Sequence, residues 1–225
     1  MIMELQQLND RFKDAPWFEQ CSKEYILVGG VGGIGSSAMY CLTKTIPCTY
    51  MIIDMDTVAE YNVGTQFFSK DDVNKLKVQA VQEMATRYSA AKIMPFPRAI
   101  LDSDSLNIVV SAFDNMAARK QLYEAWKKRP TREIFIDGRL RATMYEVYIV
   151  LPGREAQYEA TLFDDKDVAD DECTFKQTSF FAMAIGAKIT QALTNYLSNK
   201  YTKEDSCALP FKITEVGELF YFNAE

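Results

Sequence analysis

The chain has 225 residues, 48% of them hydrophobic, and a formal net charge of −6. That suits one α/β domain with a substantial core, and the acidic balance argues against holding nucleic acid by bulk electrostatics. Histidine is absent, which excludes a Ser-His-Asp triad, a Cys-His pair and any His-ligated metal.

The five cysteines (Cys21, Cys41, Cys48, Cys173, Cys207) form no C-x-x-C pair, so neither zinc nor a disulfide framework is expected. A reducing cytoplasm is the expected compartment. There is no basic region followed by an apolar run at the N-terminus, and no stretch approaches the roughly 18–20 apolar residues of a membrane span, so no signal peptide or membrane segment is expected.

Residues 1–22 carry Leu5, Leu8, Phe12, Trp17 and Phe18 at roughly helical spacing, interrupted by Pro16, and predict a short helix and an arm packed on the domain. Tyr25–Gly29 reads as a buried strand running into glycines. Ser36–Thr45 reads as a helix and Thr49–Ile53 as a second strand. Lys75–Tyr88 is an amphipathic helix by its apolar spacing, followed by strands at Lys92–Phe96 and Asn107–Ala112. A helix over Met116–Lys128 stops near Pro130, and strands follow at Ile134–Asp137 and Met144–Leu151. This alternation predicts a Rossmann-like α/β fold: a doubly wound, mostly parallel sheet with helices on both faces.

The expected organisation is a single domain over 1–225. It comprises an N-terminal arm (1–22), a nucleotide-binding core (23–140) and a C-terminal extension (141–225). The extension contains an acidic stretch at 157–172 that reads as a solvated loop, then a helix at 179–198. Phe211–Phe222 adds one or two strands.

Gly30-Val31-Gly32-Gly33-Ile34-Gly35 satisfies G-x-G-x-x-G between a strand and a helix. Glycines there permit a tight turn and let backbone N–H groups meet a phosphate at a positive helix end. Asp54, 19 residues after Gly35 at the end of the second strand, is placed to accept from a ribose hydroxyl. The alternative is a glycine turn used only for close helix–sheet packing. The turn alone does not separate NAD from ATP.

Downstream stand Asp54-Met55-Asp56-Thr57-Val58, Asn62, Gln66, Lys75 and Lys77, then Asp114-Asn115 with Arg119 a helical turn later. The spacing D-x-D-x-V-x-x-x-N-x-x-x-Q, the lysine and the later D-N resemble the ThiF/MoeB/ubiquitin-activating-enzyme-like adenylyltransferases. The resemblance covers Tyr25–Arg119 well and Arg11–Leu197 more loosely.

It implies ATP and Mg²⁺ as cofactors. Asp54 and Asp56 would lie at the nucleotide, with Asp54 on the ribose. Asn62, Gln66 and Lys77 would hold the phosphates, Asp114 would take Mg²⁺ and Asn115 would shape the pocket. Asp114 and Lys77 would carry the chemistry. Cys173 is a candidate for a covalent link to the activated substrate, a ubiquitin-like protein or peptide. A homodimer is also implied.

Apart from the resemblance, Asp114 has a plainer use as the cap of the helix beginning near Met116. Two family arginines are missing, since Thr65 and Asp14 stand in their places. Arg11, Lys13, Arg98, Arg139 and Arg141 are the candidate replacements. An NAD-dependent oxidoreductase and a non-catalytic nucleotide-binding module remain as alternative functions.

Overall fold

The computed structural model describes residues 10–141, 143–164 and 179–225. Cys173, the first residues of the arm and the second half of the acidic stretch lie outside them.

A short helix, α1 (Phe18–Cys21), leads into β1 (Tyr25–Gly29). Then come α2 (Gly33–Thr45), β2 (Thr49–Ile53), α3 (Lys77–Tyr88), β3 (Lys92–Phe96) and β4 (Ile108–Ser111). They are followed by α4 (Met116–Lys127), β5 (Ile134–Arg141), β6 (Met144–Val150) and α5 (Glu155–Glu159). The described chain ends with α6 (Ser179–Thr202), β7 (Lys212–Val216) and β8 (Tyr221–Ala224).

One eight-stranded sheet has the order β3-β2-β1-β4-β5-β6-β7-β8. Neighbours from β3 to β5 are parallel, and those from β5 to β8 are antiparallel. The fold is the α/β, Rossmann-like, doubly wound arrangement that the alternation of elements predicts.

Side chains of a strand alternate between its faces, so each strand feeds two cores. Ile26 and Val28 of β1 enter one core with Ile34 and Met39 of α2, Val78 and Val81 of α3, and Ile185 and Ile189 of α6. Trp17 and Phe18 of the arm close its edge. Leu27, between them, enters the other core with Leu122, Tyr123 and Trp126 of α4 and Tyr158 of α5.

The long helix α6 lies close against α2. A Cβ on Gly186 would come within 2.7 Å of the Ala38 nitrogen. The C-terminal turns of α6 are fastened to the amino ends of the sheet. Lys200 Nζ reaches Glu24, just before β1, at 2.6 Å and Glu133, just before β5, at 2.7 Å. Tyr196 joins Glu133 and Tyr201 joins Glu24. No helix among the described residues is long and apolar enough to cross a membrane.

Most elements match expectation to within one or two residues at each end, and four differences have a physical reason. Helix α2 begins at Gly33, three residues before Ser36, because the glycines form its first turn. Strand β5 runs on through Gly138–Arg141, where pairing with β6 carries its charged end. The acidic stretch is not loop throughout, since Gln157–Glu159 belong to α5 and Tyr158 is buried in the core. Helix α6 extends four residues past Ser198 because Asn199, Lys200 and Tyr201 all find partners.

Candidate active site

Strand order reverses at β1, which has β2 on one side and β4 on the other. Ligands of open α/β sheets bind outside the carboxyl ends of the strands at such a point. The glycine turn lies there.

Gly30 adopts φ 79°, a left-handed conformation that glycine enters without steric cost. Its N–H donates to Ile53 O at 2.9 Å. The turn is closed so tightly that a Cβ on Gly35 would lie 2.0 Å from Gly30 O. Gly32 differs: a Cβ there would meet nothing nearer than the Gln66 side-chain amide, 3.9 Å away. Gly30 and Gly35 thus shape the turn, whereas Gly32, at the amino end of α2, has room for a Cβ in ordinary contact with Gln66.

Asp54 ties the turn to the end of β2. Its Oδ2 accepts from Val31 N and its Oδ1 from Asp56 N, each at 2.8 Å. Burial pushes the Asp54 carboxyl above its ordinary range, outweighing the two amides and Lys77, which act the other way. Each oxygen retains a lone pair for a further donor such as a ribose hydroxyl.

The loop after β2 folds back on itself. Thr57 bridges Leu76, and Val58 N donates to Lys75 O at 2.8 Å. Lys77 consequently meets Asp56, with Nζ 2.8 Å from Oδ2 and its side chain 8% exposed. Within the loop, the Asn62 side chain accepts from Ala59 N at 2.9 Å and closes a short 3₁₀ turn over Glu60–Asn62. Phe67 N donates to Ser36 Oγ at 2.9 Å, fastening the loop to the first turns of α2. These anchors set Gln66 over Gly32. Its Oε1 is buried and has no hydrogen-bond partner among the described residues. A buried amide oxygen left this way beside Gly32 fits a site shaped for a polar ligand.

At the end of β4 the cap of α4 is Asn115, not Asp114. Asn115 Oδ1 accepts from Ala118 N at 2.8 Å, and its Nδ2 donates to Asp114 Oδ1 at 3.3 Å. Asp114 is exposed and takes no part in the cap. One outward carboxylate is a donor set that suits Mg²⁺ where ligand phosphate oxygens and waters complete the shell.

The candidate replacement cations are largely engaged elsewhere. Arg98 forms a two-pronged pair with Asp104 at 2.6 and 2.8 Å, and Lys13 reaches Asp10 at 2.6 Å. Arg139 is drawn inward to Asp137 at 2.7 Å and lies over the Tyr148 ring. Arg141 is exposed at the end of β5.

The Asp137 cluster escaped sequence reasoning. Asp137 has no solvent exposure and binds Arg119, Arg139 and Tyr158. The available signal was Asp137 and Arg139 two apart on a strand, hence on one face, with Arg119 on the helix before it.

Turn, acids, lysine and amide lie on a nucleotide-binding fold of the doubly wound α/β class. A profile of the ThiF family matches residues 6–218, and the chain belongs to that family. It is 27% identical over 172 residues to the NEDD8-activating enzyme E1 catalytic subunit of Arabidopsis thaliana, covering 68% of this chain and 38% of the relative. With ubiquitin-like modifier-activating enzyme 5 of Dictyostelium discoideum it shares 23% identity over 168 residues, covering 63% and 42%. The chain thus spans about four tenths of the length of these curated relatives.

Among solved structures, PaaA superposes with a TM-score of 0.77 at 17% identity, over 99% of this chain and 73% of that one. E. coli MccB with ATP gives 0.71 at 13% identity, over 93% and 65%. At these identities the likeness is one of fold.

Proposed function

We propose that the chain is an ATP-dependent adenylyltransferase that activates a carboxylate as an acyl-adenylate, the substrate being the C-terminus of a ubiquitin-like protein or a peptide. The observations that support this reading are Asp54 bonded to the glycine turn and Gln66 set against Gly32, with Asp56 and Lys77 paired beside Asp54 and Asp114 just past the end of β4, the neighbour of β1. Membership of the ThiF family supports it and weighs against hydride transfer to NAD. The substrate class is supported by the activating enzymes among the relatives and by MccB, solved with MccA.

In this reaction a substrate carboxylate oxygen attacks the α-phosphorus of ATP. The bond from that phosphorus to the bridging oxygen breaks, and pyrophosphate leaves with the electron pair. The nucleophile is already ionised at neutral pH, so no general base is required. The demand is for positioning and for charge neutralisation.

The turn amides and the amino end of α2 meet the phosphates, and Asp54 receives the ribose. Lys77 passes from Asp56 to a phosphate oxygen. Gln66 lies against the same oxygens, and Asn62 offers Nδ2 while its Oδ1 holds the loop. Asn115 shapes the wall beside Asp114. Asp114 would hold Mg²⁺, which supplies charge neutralisation at the phosphates. The same reading takes the protein as a homodimer.

ATP–pyrophosphate exchange tests the proposal. Labelled pyrophosphate is expected to enter ATP only when a substrate with a free C-terminal carboxylate is added. An amidated C-terminus and the Asp114→Asn variant are expected to give none. Absence of exchange together with absence of ATP binding removes the reading.

The pairing of Lys77 with Asp56 and of Arg139 with Asp137 favours a second reading, a nucleotide-binding member without turnover. Tight ATP binding with no exchange, unaltered by Asp114→Ala, is its signature.

A further inference from the structure

Asp137 is fully buried midway along β5, the last of its residues paired with β4, and three donors meet it there. Arg119 Nε reaches Oδ1 at 2.7 Å, while Arg139 Nε at 2.7 Å and the Tyr158 hydroxyl at 2.9 Å share Oδ2. For stability alone this is a poor use of space, since apolar side chains of similar volume commonly serve as well or better.

What the cluster does is hold Arg119. The Arg119 Nη2 donates to Phe113 O at 2.6 Å and to Gly138 O at 3.3 Å. The Phe113 carbonyl belongs to the same peptide unit as the Asp114 nitrogen. Fixing that plane fixes the N–Cα bond of Asp114, which lies in it, and so limits where the Asp114 side chain can stand. The Asp114 side chain is otherwise held only loosely among the described residues, by a long bond of 3.3 Å from Asn115 Nδ2.

Across the cluster, Arg139 donates to Thr161 O at 2.9 Å and to Thr161 Oγ1 at 3.0 Å. One buried carboxylate therefore connects the elbow bearing Asp114 to the segment after α5.

We propose that Arg119, held by Asp137, is a positioning residue that sets the Asp114 carboxylate for Mg²⁺. This rests on Asp114 being the metal ligand in the proposed reaction. Magnesium tolerates little departure from octahedral geometry, and loss of a group that orients a ligand typically lowers metal affinity by about 10–100-fold.

Calorimetric titration of ATP into the full chain, once with excess Mg²⁺ and once with chelator, gives the gain in affinity due to the metal. Asp114→Asn is expected to abolish that gain. Arg119→Lys keeps a positive charge against Asp137 but loses the planar fork. It is expected to shrink the gain by about tenfold or more while leaving metal-free ATP affinity unchanged.

A full gain in Arg119→Lys, or an equal loss with and without metal, overturns the positioning role while leaving the function reading intact. No ATP affinity in the unaltered chain, or an undiminished gain in Asp114→Asn, overturns that reading and the positioning role with it. Should Arg119→Lys fail to fold, Tyr158→Phe takes its place, because it removes one donor to Asp137 and keeps the ring. Its expected effect is a loss of about threefold in the gain, the scale of one net hydrogen bond. An unchanged gain there overturns the proposal.

Discussion

Gly32 and Gly35 belong to one motif, yet alanine at each is expected to act differently. At Gly35 the new Cβ would lie 2.0 Å from Gly30 O, whereas a close C···O contact is about 3.3 Å. The obstacle is backbone on both sides, so the turn must open by roughly an ångström, taking with it the Gly30 N–H bond to Ile53 O. Overpacking costs about 1–3 kcal/mol and the bond about 1 kcal/mol more. For a chain of this size that is a fall in Tm of roughly 5–15 °C.

At Gly32 the nearest atoms are 3.9 Å away, so Gly32→Ala is expected to change stability by about 1 kcal/mol or less. Its methyl group fills the space over which Gln66 leans, and ATP affinity is expected to fall by about tenfold or more. Thermal melts paired with ATP titration of both variants are the assay. If Gly32→Ala binds ATP like the unaltered chain, or melts as low as Gly35→Ala, the turn serves packing and the nucleotide argument fails.

Lys77→Ala should weaken ATP by about 10–100-fold and leave adenosine binding little changed, since only a phosphate contact is removed. Equal losses for both ligands in competition titrations contradict the phosphate role. Asp54 carries a pH signature. Its carboxyl is raised by burial, so the folded chain takes up the proton more readily than the unfolded one. The associated stability is full below the ordinary value of about 3.9 and is lost as pH rises through the folded-state value. Ribose recognition needs the ionised form, so ATP affinity should drop on acidification at a pH above that ordinary value. The drop should flatten in Asp54→Asn, as followed by ATP titration across pH. Asp137→Ala leaves Arg119 and Arg139 buried without their shared carboxylate, and a loss of about 3–5 kcal/mol is expected in chemical denaturation. A loss under about 1 kcal/mol shows that relaxation or water replaces the pair.

Much of this fold is legible in the sequence because buried parallel strands are short apolar runs between turn residues. Tyr25–Gly29 and Thr49–Ile53 begin and end where composition changes, whereas the edge strand Lys92–Phe96 is only partly buried and is marked by its apolar run alone. The start of α2 is not legible, because Gly33-Ile34-Gly35 reads as loop by propensity and is helical only through its packing on Gly30 and β1. The acids, amide and lysine of the site can be read from their spacing. Their present partners cannot, since Lys77 and Asp56 meet only once the loop has folded back. The same limit hides the Asp137 cluster, in which α4, β5 and α5 contribute charged or polar groups that carry no mutual signal along the chain.

The close approach of α6 to α2 at Gly186 has a consequence for how this family member can vary. A side chain at position 186 would press on Ser37 and Ala38, one turn into the helix whose first residues are proposed to meet the nucleotide. The far end of α6 is pinned by Lys200 to the two strand entrances, so the helix cannot simply slide aside. A lineage that enlarges residue 186 must therefore alter α2 or release the pin in the same step. Position 186 is not among the residues proposed to meet ATP, yet its history is bound to the history of the candidate site.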